Sequence, residues 1–232
     1  MQRIGVLGGI SPQATMDFET QVHRIAQRLI PQDWNRGYPR MVVWYHRDLP
    51  IRVDGDGRPV VPRQIDSGLL EGAAWLGKAA DFVVIPCNSA HVGVREVAAA
   101  AGCPVLSMVD VTLDEVARHG WRRVGVLGFG GPPPVYVEPL TERGVDWVAI
   151  DAGLQQRLDD AIRAVMEGRD GVAEHELALA AVDALRGQRV DGVVLGCTEI
   201  PLLLGRKGDA SDLVSPAKLL AEAAVRRALT SP

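Results

Sequence analysis

A short stretch of the sequence, Ile-Pro-Cys-Asn-Ser-Ala-His-Val-Gly at residues 85–93, holds several reactive side chains. Cys87 follows an apolar run, and Asn88, Ser89 and His91 occupy three of the next four positions. A cysteine in this setting can be a core thiol, a metal ligand, half of a disulfide or a catalyst. The rest of the chain has to distinguish these four interpretations.

A second cysteine, Cys197, stands in a similar setting. The stretch 191–201, Asp-Gly-Val-Val-Leu-Gly-Cys-Thr-Glu-Ile-Pro, repeats the pattern of 81–91, Asp-Phe-Val-Val-Ile-Pro-Cys-Asn-Ser-Ala-His. In both copies an aspartate lies six residues before the cysteine, and an amide or hydroxyl side chain follows it. We expect each cysteine to lie between a strand end and a helix start, where free N–H groups and the helix dipole favour a thiolate.

The repeat narrows the four interpretations. Cys103 has no polar companions and is assigned to the core. Cys87 and His91 have the i, i+4 spacing of a metal site, but the second copy has Pro201 where His91 stands. Three cysteines are an odd number and suit a reducing compartment, so a disulfide to Cys197 is disfavoured.

Paired thiols facing each other across a cleft suit acid–base chemistry at a carbon atom. One thiolate removes the α-proton while the opposite thiol delivers a proton to the other face, and the roles reverse for the other enantiomer. One sulfur must therefore start ionised and the other protonated. Hydrogen-bond donors around the substrate carboxylate would stabilise the developing carbanion.

The elements that must position these thiols alternate between strand and helix patterns. The apolar runs read as strands over Arg3–Leu7, Met41–Tyr45, Asp81–Ile85, Val105–Ser107, Val124–Leu127, Trp147–Ile150 and Val193–Leu195. Helices are predicted after the cap Ser11-Pro12, over Ala90–Ala100, Leu154–Met166 and Glu174–Leu185, and from Pro216 to about Ala228. This alternation, with continuously apolar strands, predicts an α/β fold with mostly parallel sheets.

The chain also repeats on a larger scale. The glycine-rich turn at 4–9, Ile-Gly-Val-Leu-Gly-Gly, returns at 124–131 as Val-Gly-Val-Leu-Gly-Phe-Gly-Gly. We therefore predict two pseudo-symmetric, Rossmann-like halves, residues 1–108 with 215–232, and residues 109–214. Ligands of such folds lie at the carboxyl ends of the strands, so the active site is expected in the cleft between the halves.

Composition restricts the class of protein. The 232 residues are 47% hydrophobic and 23% charged, with a net charge of −4, values ordinary for a soluble globular protein. No cluster of lysine or arginine forms a basic stripe, so nucleic acid is not expected as a partner. The sequence has no signal-peptide pattern and no apolar run of transmembrane length, which leads us to expect a cytoplasmic protein.

With both cysteine motifs identified, the sequence resembles the aspartate/glutamate racemase superfamily along essentially its whole length. The matching stretches are IGVLGGISPQAT, PCNSAH, LGCTEIP and VSPAKLLAEAAV, and the Gly-Cys-Thr-Glu segment is closest to the aspartate racemase branch. The resemblance implies an amino-acid racemase that works without pyridoxal phosphate or another cofactor. It implies that Cys87 and Cys197 are the acid/base pair and that Asn88, Ser89 and Thr198 bind the substrate's α-carboxylate or ammonium group.

Further roles are implied by the resemblance. Ile10 and Ser11 follow the first glycine turn, where relatives contact substrate, although Ser11 is equally well placed to cap a helix. Arg52 lies near an arginine that binds a carboxylate in aspartate racemases, but it also suits a solvated loop. His91 and Glu199 are candidate supporting residues. The implied partner is a small amino acid, and the implied assembly is a homodimer.

Two departures from the family pattern bear on the substrate. The loop after the second glycine-rich strand, Gly-Phe-Gly-Gly-Pro-Pro-Pro at 128–134, lacks the hydroxyl residues that relatives use there. Glu167 stands near a position where some aspartate racemases have a lysine, and its charge would repel a second substrate carboxylate. Both put aspartate itself in doubt, so the substrate is predicted only as aspartate, glutamate or a related amino acid.

Two other functions remain open. A member of the superfamily can use one cysteine as a nucleophile, as maleate isomerases do. A non-catalytic small-molecule-binding protein with this fold is the alternative of another class. Nucleotide binding of the Rossmann type is disfavoured, because Gly5, Gly8 and Gly9 do not have the spacing of G-x-G-x-x-G.

Overall fold

A computed structural model describes residues 1–55, 60–169 and 171–230 of the chain. Two compact units account for it, Met1–Met108 with Leu220–Pro232, and Val109–Leu219. The predicted halves differ from these units only in residues 215–219, at the start of the last helix. Each unit has a four-stranded parallel sheet with helices, which confirms the predicted α/β class. In the described parts of the chain, no helix has the length and apolar character needed to cross a bilayer.

The first unit is built on a sheet with the strand order β2-β1-β3-β4. Its strands are β1 (Ile4–Gly8), β2 (Met41–Tyr45), β3 (Phe82–Val84) and β4 (Val105–Leu106). Its helices are α1 (Pro12–Leu29), α2 (Ser67–Ala79) and α3 (Val94–Ala101), with a 3-10 turn over Ser89–Gly93. The central strands β1 and β3 are completely buried, as continuously apolar strands covered on both faces should be.

The second unit repeats this topology with the strand order β6-β5-β7-β8. Its strands are β5 (Arg123–Leu127), β6 (Asp146–Val148), β7 (Gly192–Leu195) and β8 (Leu213–Val214). Its helices are α4 (Met108–Arg118, begun by the last residue of the first unit), α5 (Pro134–Glu142), α6 (Ala152–Met166), α7 (Val172–Gly187) and α8 (Ile200–Leu204), followed by a 3-10 turn at Gly205–Asp209. The last helix, α9 (Pro216–Leu229), contributes residues to both units.

The helix predicted over Ala90–Ala100 is wrong in its first part. The chain forms the 3-10 turn up to Gly93, and α3 begins only at Val94. Gly93 has φ −112° and ψ 22°, outside the α-helical region, and its missing Cβ makes room for Ile65. The regular helix is thereby held away from the cysteine loop that precedes it.

Candidate active site

The first half-site, residues Cys87–His91, is the loop that follows β3. The strand ends at Val84, and the N–H of Cys87 donates to the carbonyl of Ile85 at 2.8 Å, which turns the chain sharply. The Cys87 thiol is partly exposed, and its Sγ lies 3.3 Å from the hydroxyl oxygen of Ser89. Asn88 is buried beside it. The structure therefore brings three of the predicted site residues together on one turn.

His91 ties this loop to the start of α4. The backbone N–H of Met108 donates to Nε2 of His91 at 2.9 Å, so Nε2 must be the unprotonated ring nitrogen. The proton is then on Nδ1, which donates to the carbonyl of Cys87 at 2.8 Å. Both ring nitrogens are engaged with the backbone, which disfavours the metal-ligand interpretation of Cys87 and His91. His91 instead fixes the position of the Cys87 backbone.

The second half-site, residues Cys197–Glu199, follows β7. Cys197 is 8% exposed, and its Sγ donates to Oε2 of Glu199 at 2.9 Å. The hydroxyl of Thr198 donates to the same carboxylate oxygen at 3.1 Å. Glu199 is only 1% exposed, so this carboxyl group lies in the protein interior, where one of its oxygens accepts both hydrogen bonds.

Each cysteine lies between a strand end and the start of a helical segment, as predicted, but both of these segments are short. Only the 3-10 turn follows Cys87 directly, because Gly93 delays α3 to Val94. The helix α8, which follows Cys197, has five residues and is too short to have a large dipole. Each sulfur has a polar side chain within hydrogen-bond distance, the hydroxyl of Ser89 at Cys87 and the carboxyl of Glu199 at Cys197.

Ser11, which follows the glycine turn after β1, has a mainly structural role. The Ser11 hydroxyl accepts the N–H of Ala14 at 3.4 Å at the start of α1, which confirms the helix-cap interpretation. Gly9 has φ +84°, and a Cβ there would lie 2.6 Å from the backbone of Tyr45, so only glycine fits. Ile10 is partly buried against the apolar cluster that also contains Cys87.

The loop after β5 lies beside the second half-site, because Leu127 of β5 pairs with Leu195 of β7. The Gln155 amide donates to the carbonyl of Gly128 at 2.9 Å, and Asp159 accepts the N–H of Gly130 at 2.9 Å. Sequence reasoning missed both residues, although their i, i+4 spacing on α6 was a usable signal. The hydroxyl-free loop is thus held by two side chains of α6.

Phe129, at the tip of this loop, is 49% exposed, with the guanidinium of Arg163 5.8 Å from its ring centre. The neighbouring glycine turn is close-packed, since a Cβ on Gly196 would lie 2.6 Å from the carbonyl of Leu127. An exposed aromatic ring in place of hydroxyl groups gives this part of the second unit an apolar surface.

Two predicted residues lie on the surface. Arg52 is exposed, and its guanidinium donates to the side-chain oxygen of Gln64 at 2.8 Å. Its exposure agrees with the solvated-loop interpretation, and contact with a substrate carboxylate stays a prediction. Glu167 follows the end of α6 and forms an ion pair with Arg169, which offsets the negative charge expected to repel a second substrate carboxylate.

The third cysteine has a different environment. Cys103 packs against the apolar cluster of the first unit, as its assignment to the core predicts. Burial raises the pKa of its thiol, so little thiolate is present at neutral pH. Among residues 1–55, 60–169 and 171–230, no group of three or more His, Cys, Asp or Glu side chains is arranged to hold a metal ion.

Comparison with known proteins supplies the family context. The family model described as Asp/Glu/hydantoin racemase matches residues 7–224. The broad specificity amino-acid racemase RacX of Bacillus subtilis is 26% identical over 225 residues, which cover 96% of each chain.

Solved structures of similar fold include two with 20% identity to this chain. One is an aspartate racemase homologue from Pyrococcus horikoshii, with a TM-score of 0.77 over 98% of this chain and 99% of that one. The other is the aspartate racemase of Picrophilus torridus, with a TM-score of 0.77 over 98% of this chain and 94% of that one. At this identity the likeness establishes the fold.

Proposed function

The chain belongs to the Asp/Glu/hydantoin racemase family, and from that premise we propose that it inverts the α-carbon of an amino acid with Cys87 and Cys197. At the family level it is an amino-acid racemase, an isomerase. The finer proposal concerns the residues and the substrate. The observation that carries it is the repeated placement of a cysteine, followed by a polar side chain, after the equivalent strands β3 and β7.

The proposed reaction consists of two proton transfers. The sulfur of one cysteine, as a thiolate, takes the α-proton, and the electron pair of that C–H bond remains on the substrate as a carbanion. The thiol of the other cysteine then delivers its proton to the opposite face. The substrate carboxylate delocalises the negative charge, and donors around it lower the barrier further. No cofactor is required by this sequence of steps.

The neighbours of the two sulfurs suit complementary binding roles. Ser89 and Asn88, beside Cys87, offer hydroxyl and amide groups to the α-carboxylate. The Thr198 hydroxyl donates its hydrogen to Glu199, so its oxygen has only acceptor capacity left. We therefore assign Thr198 to the substrate's ammonium group, which is a pure donor.

The substrate is proposed to be aspartate, glutamate or a related amino acid. The aspartate racemase fold neighbours and the Gly-Cys-Thr-Glu motif support the acidic class. The apolar loop with Phe129 and the similarity to a broad specificity racemase favour testing uncharged amino acids as well. A panel covering both classes is therefore the appropriate assay.

The test is racemisation of single enantiomers, followed by chiral chromatography without added pyridoxal phosphate. The proposal expects equal amounts of both hands at equilibrium for at least one amino acid, with the rate proportional to protein concentration. If no panel member changes hand, the racemase proposal is wrong. A stable covalent adduct on one cysteine after incubation with maleate would instead support the nucleophilic isomerase alternative.

A further inference from the structure

The two half-sites differ in the side-chain group that lies within hydrogen-bond distance of the cysteine sulfur. In the second, the Cys197 Sγ lies 2.9 Å from Oε2 of Glu199, which also accepts the Thr198 hydroxyl. In the first, the Cys87 Sγ lies 3.3 Å from the neutral hydroxyl of Ser89. A hydroxyl can donate to a thiolate, whereas a carboxylate can only accept from a thiol.

The burial of Glu199 strengthens the effect of this difference on the protonation of Cys197. Glu199 is 1% exposed, and its second oxygen, Oε1, has no hydrogen-bond partner among the described residues. No lysine, arginine or histidine in the described part of the chain forms an ion pair with it. Oε2 accepts the S–H of Cys197, so a thiolate at Cys197 would place two hydrogen-bond acceptors face to face in a poorly solvated place, which is unfavourable.

We propose that Glu199 is a positioning residue that keeps Cys197 protonated, so that Cys197 rests as the acid and Cys87 is the resting base. This inference rests on the proposed racemase function for its catalytic meaning. The S–H bond of Cys197 points at Oε2, and the thiolate needed for the first proton abstraction forms at Cys87, where Ser89 can donate to it.

The proton balance of a turnover follows from this assignment. The thiolate of Cys87 takes the α-proton, the Cys197 S–H bond breaks as its proton goes to the carbanion, and the electron pair stays on the Cys197 sulfur. That sulfur is a strong base beside the carboxylate. It regains a proton from solvent while Cys87 loses one to solvent, which restores the resting state. In the reverse direction Cys197 is a stronger base that is seldom ionised.

The experiment measures alkylation by iodoacetamide at neutral pH, followed by mass spectrometry, on proteins with one cysteine. In the Cys87→Ser, Cys103→Ser protein only Cys197 reacts. Adding Glu199→Gln replaces the carboxyl group by an amide of the same shape, which can donate as well as accept a hydrogen bond. We expect the alkylation rate of Cys197 to rise about tenfold or more, because the amide N–H of the glutamine can donate to the thiolate, which the acceptor Oε2 cannot do.

Two controls isolate the contact. Glu222→Gln removes one negative charge from a residue on α9 that pairs with Arg226, and it should leave the rate unchanged. Glu199→Gln in the Cys197→Ser, Cys103→Ser protein reports on Cys87, whose rate should also stay the same. An unchanged or slower reaction of Cys197 in the Glu199→Gln protein would overturn the proposal, and a slower one would mean that Glu199 acts as a base that ionises the thiol.

A measurement on the intact protein covers the case in which the Glu199 variant does not fold. The infrared S–H stretching band of Cys197 should be present and shifted by its hydrogen bond, and it should disappear in Cys197→Ser. Its absence from the natural sequence at neutral pH would contradict a protonated Cys197. Neither assay needs a substrate, so either can succeed while the racemase proposal fails, or the reverse.

Discussion

The carboxylate of Asp191 accepts the backbone N–H of Arg123 at 2.9 Å and that of Arg122 at 2.7 Å, at the start of β5. Asp81 accepts the N–H of Arg3 at 2.6 Å, immediately before β1. The aspartate that precedes each cysteine by six residues thus joins two neighbouring strands at their amino ends. This part of the repeated motif is structural, and only the segment from the cysteine onwards is left to carry chemistry.

Stability in acid should depend on Asp191. The backbone N–H groups of Arg122 and Arg123 lower the pKa of its carboxyl group below the ordinary value of 3.8. The stabilisation is therefore complete above the unfolded-state pKa and is lost as pH falls through the lower folded-state value. Asp191→Asn keeps an acceptor oxygen without the charge, and should cost a few tenths to about 1 kcal/mol at neutral pH, since the carboxylate is exposed and screened.

Urea unfolding of both proteins at several pH values checks this. The difference between Asp191 and its Asn variant should shrink below about pH 4, where the carboxyl group becomes protonated. An equal difference at neutral and strongly acidic pH would mean that the charge contributes nothing.

His91 should stabilise the first half-site by its two backbone hydrogen bonds. His91→Ala leaves the buried N–H of Met108 without its acceptor, and we expect a loss of about 1–3 kcal/mol in the free energy of unfolding. In the natural sequence, nitrogen-15 NMR of the ring should show the Nδ1-protonated neutral tautomer. His119→Ala, at an exposed histidine of α4's end, is the control and should cost less. An Nε2-protonated ring at neutral pH would contradict the assigned hydrogen bonds.

The loop after β5 should depend on Gln155. Gln155→Ala removes the donor to the carbonyl of Gly128 and the bond to Asp159, so the loop loses one of its two anchors on α6. If this loop contacts substrate, kcat/KM for racemisation should fall about tenfold, because small displacements of positioning groups are costly. Gln156→Ala is the matched control, since the side chain of Gln156 donates to the exposed Asp160 on the same helix. Equal activity of the two variants would exclude a positioning role.

Replacement of Cys87 or Cys197 should abolish most racemase activity, whereas replacement of Cys103 should not. Cys87→Ser and Cys197→Ser should each lower racemisation by at least about 100-fold, because a serine hydroxyl is a far weaker acid and base than a thiol at neutral pH. Cys103→Ser should retain activity, since that thiol packs in the first unit's core. Full activity of either single variant would exclude the two-thiol mechanism, and loss of activity in Cys103→Ser would place that residue in the site.

Much of the fold was predictable from hydrophobic pattern. The strand over Met41–Tyr45 was predicted with its observed bounds, and Pro216 was correctly identified as the start of the last helix. The two-residue strand β8 follows the polar residues Asp209, Ser211 and Asp212, which obscure its apolar pattern, and α2 contains three glycines that weaken the helical signal. The break at Gly93 depends on the side chain of Ile65, 28 residues earlier, which local pattern cannot reveal.

The site was predictable in its residue types but not in its electrostatics. The repeat identified Cys87 and Cys197 because identical spacing of uncommon side chains is hard to obtain by chance. The role of His91 depends on a hydrogen bond from Met108, 17 residues away. The hydrogen bond from Cys197 to Glu199 depends on the conformation of the Glu199 side chain, which points back towards Cys197. Sequence alone suggested two similar thiols, whereas the structure surrounds them with a neutral hydroxyl and a carboxyl group.

The most direct test of the two-thiol racemase is proton exchange in deuterated water, followed by NMR and chiral analysis of the same sample. For an accepted amino acid, we predict that the inverted product carries deuterium at the α-carbon, and that inversion is lost in both Cys87→Ser and Cys197→Ser but kept in Cys103→Ser. No α-proton exchange with any amino acid of a broad panel, or inversion that persists without both thiols, would contradict the account.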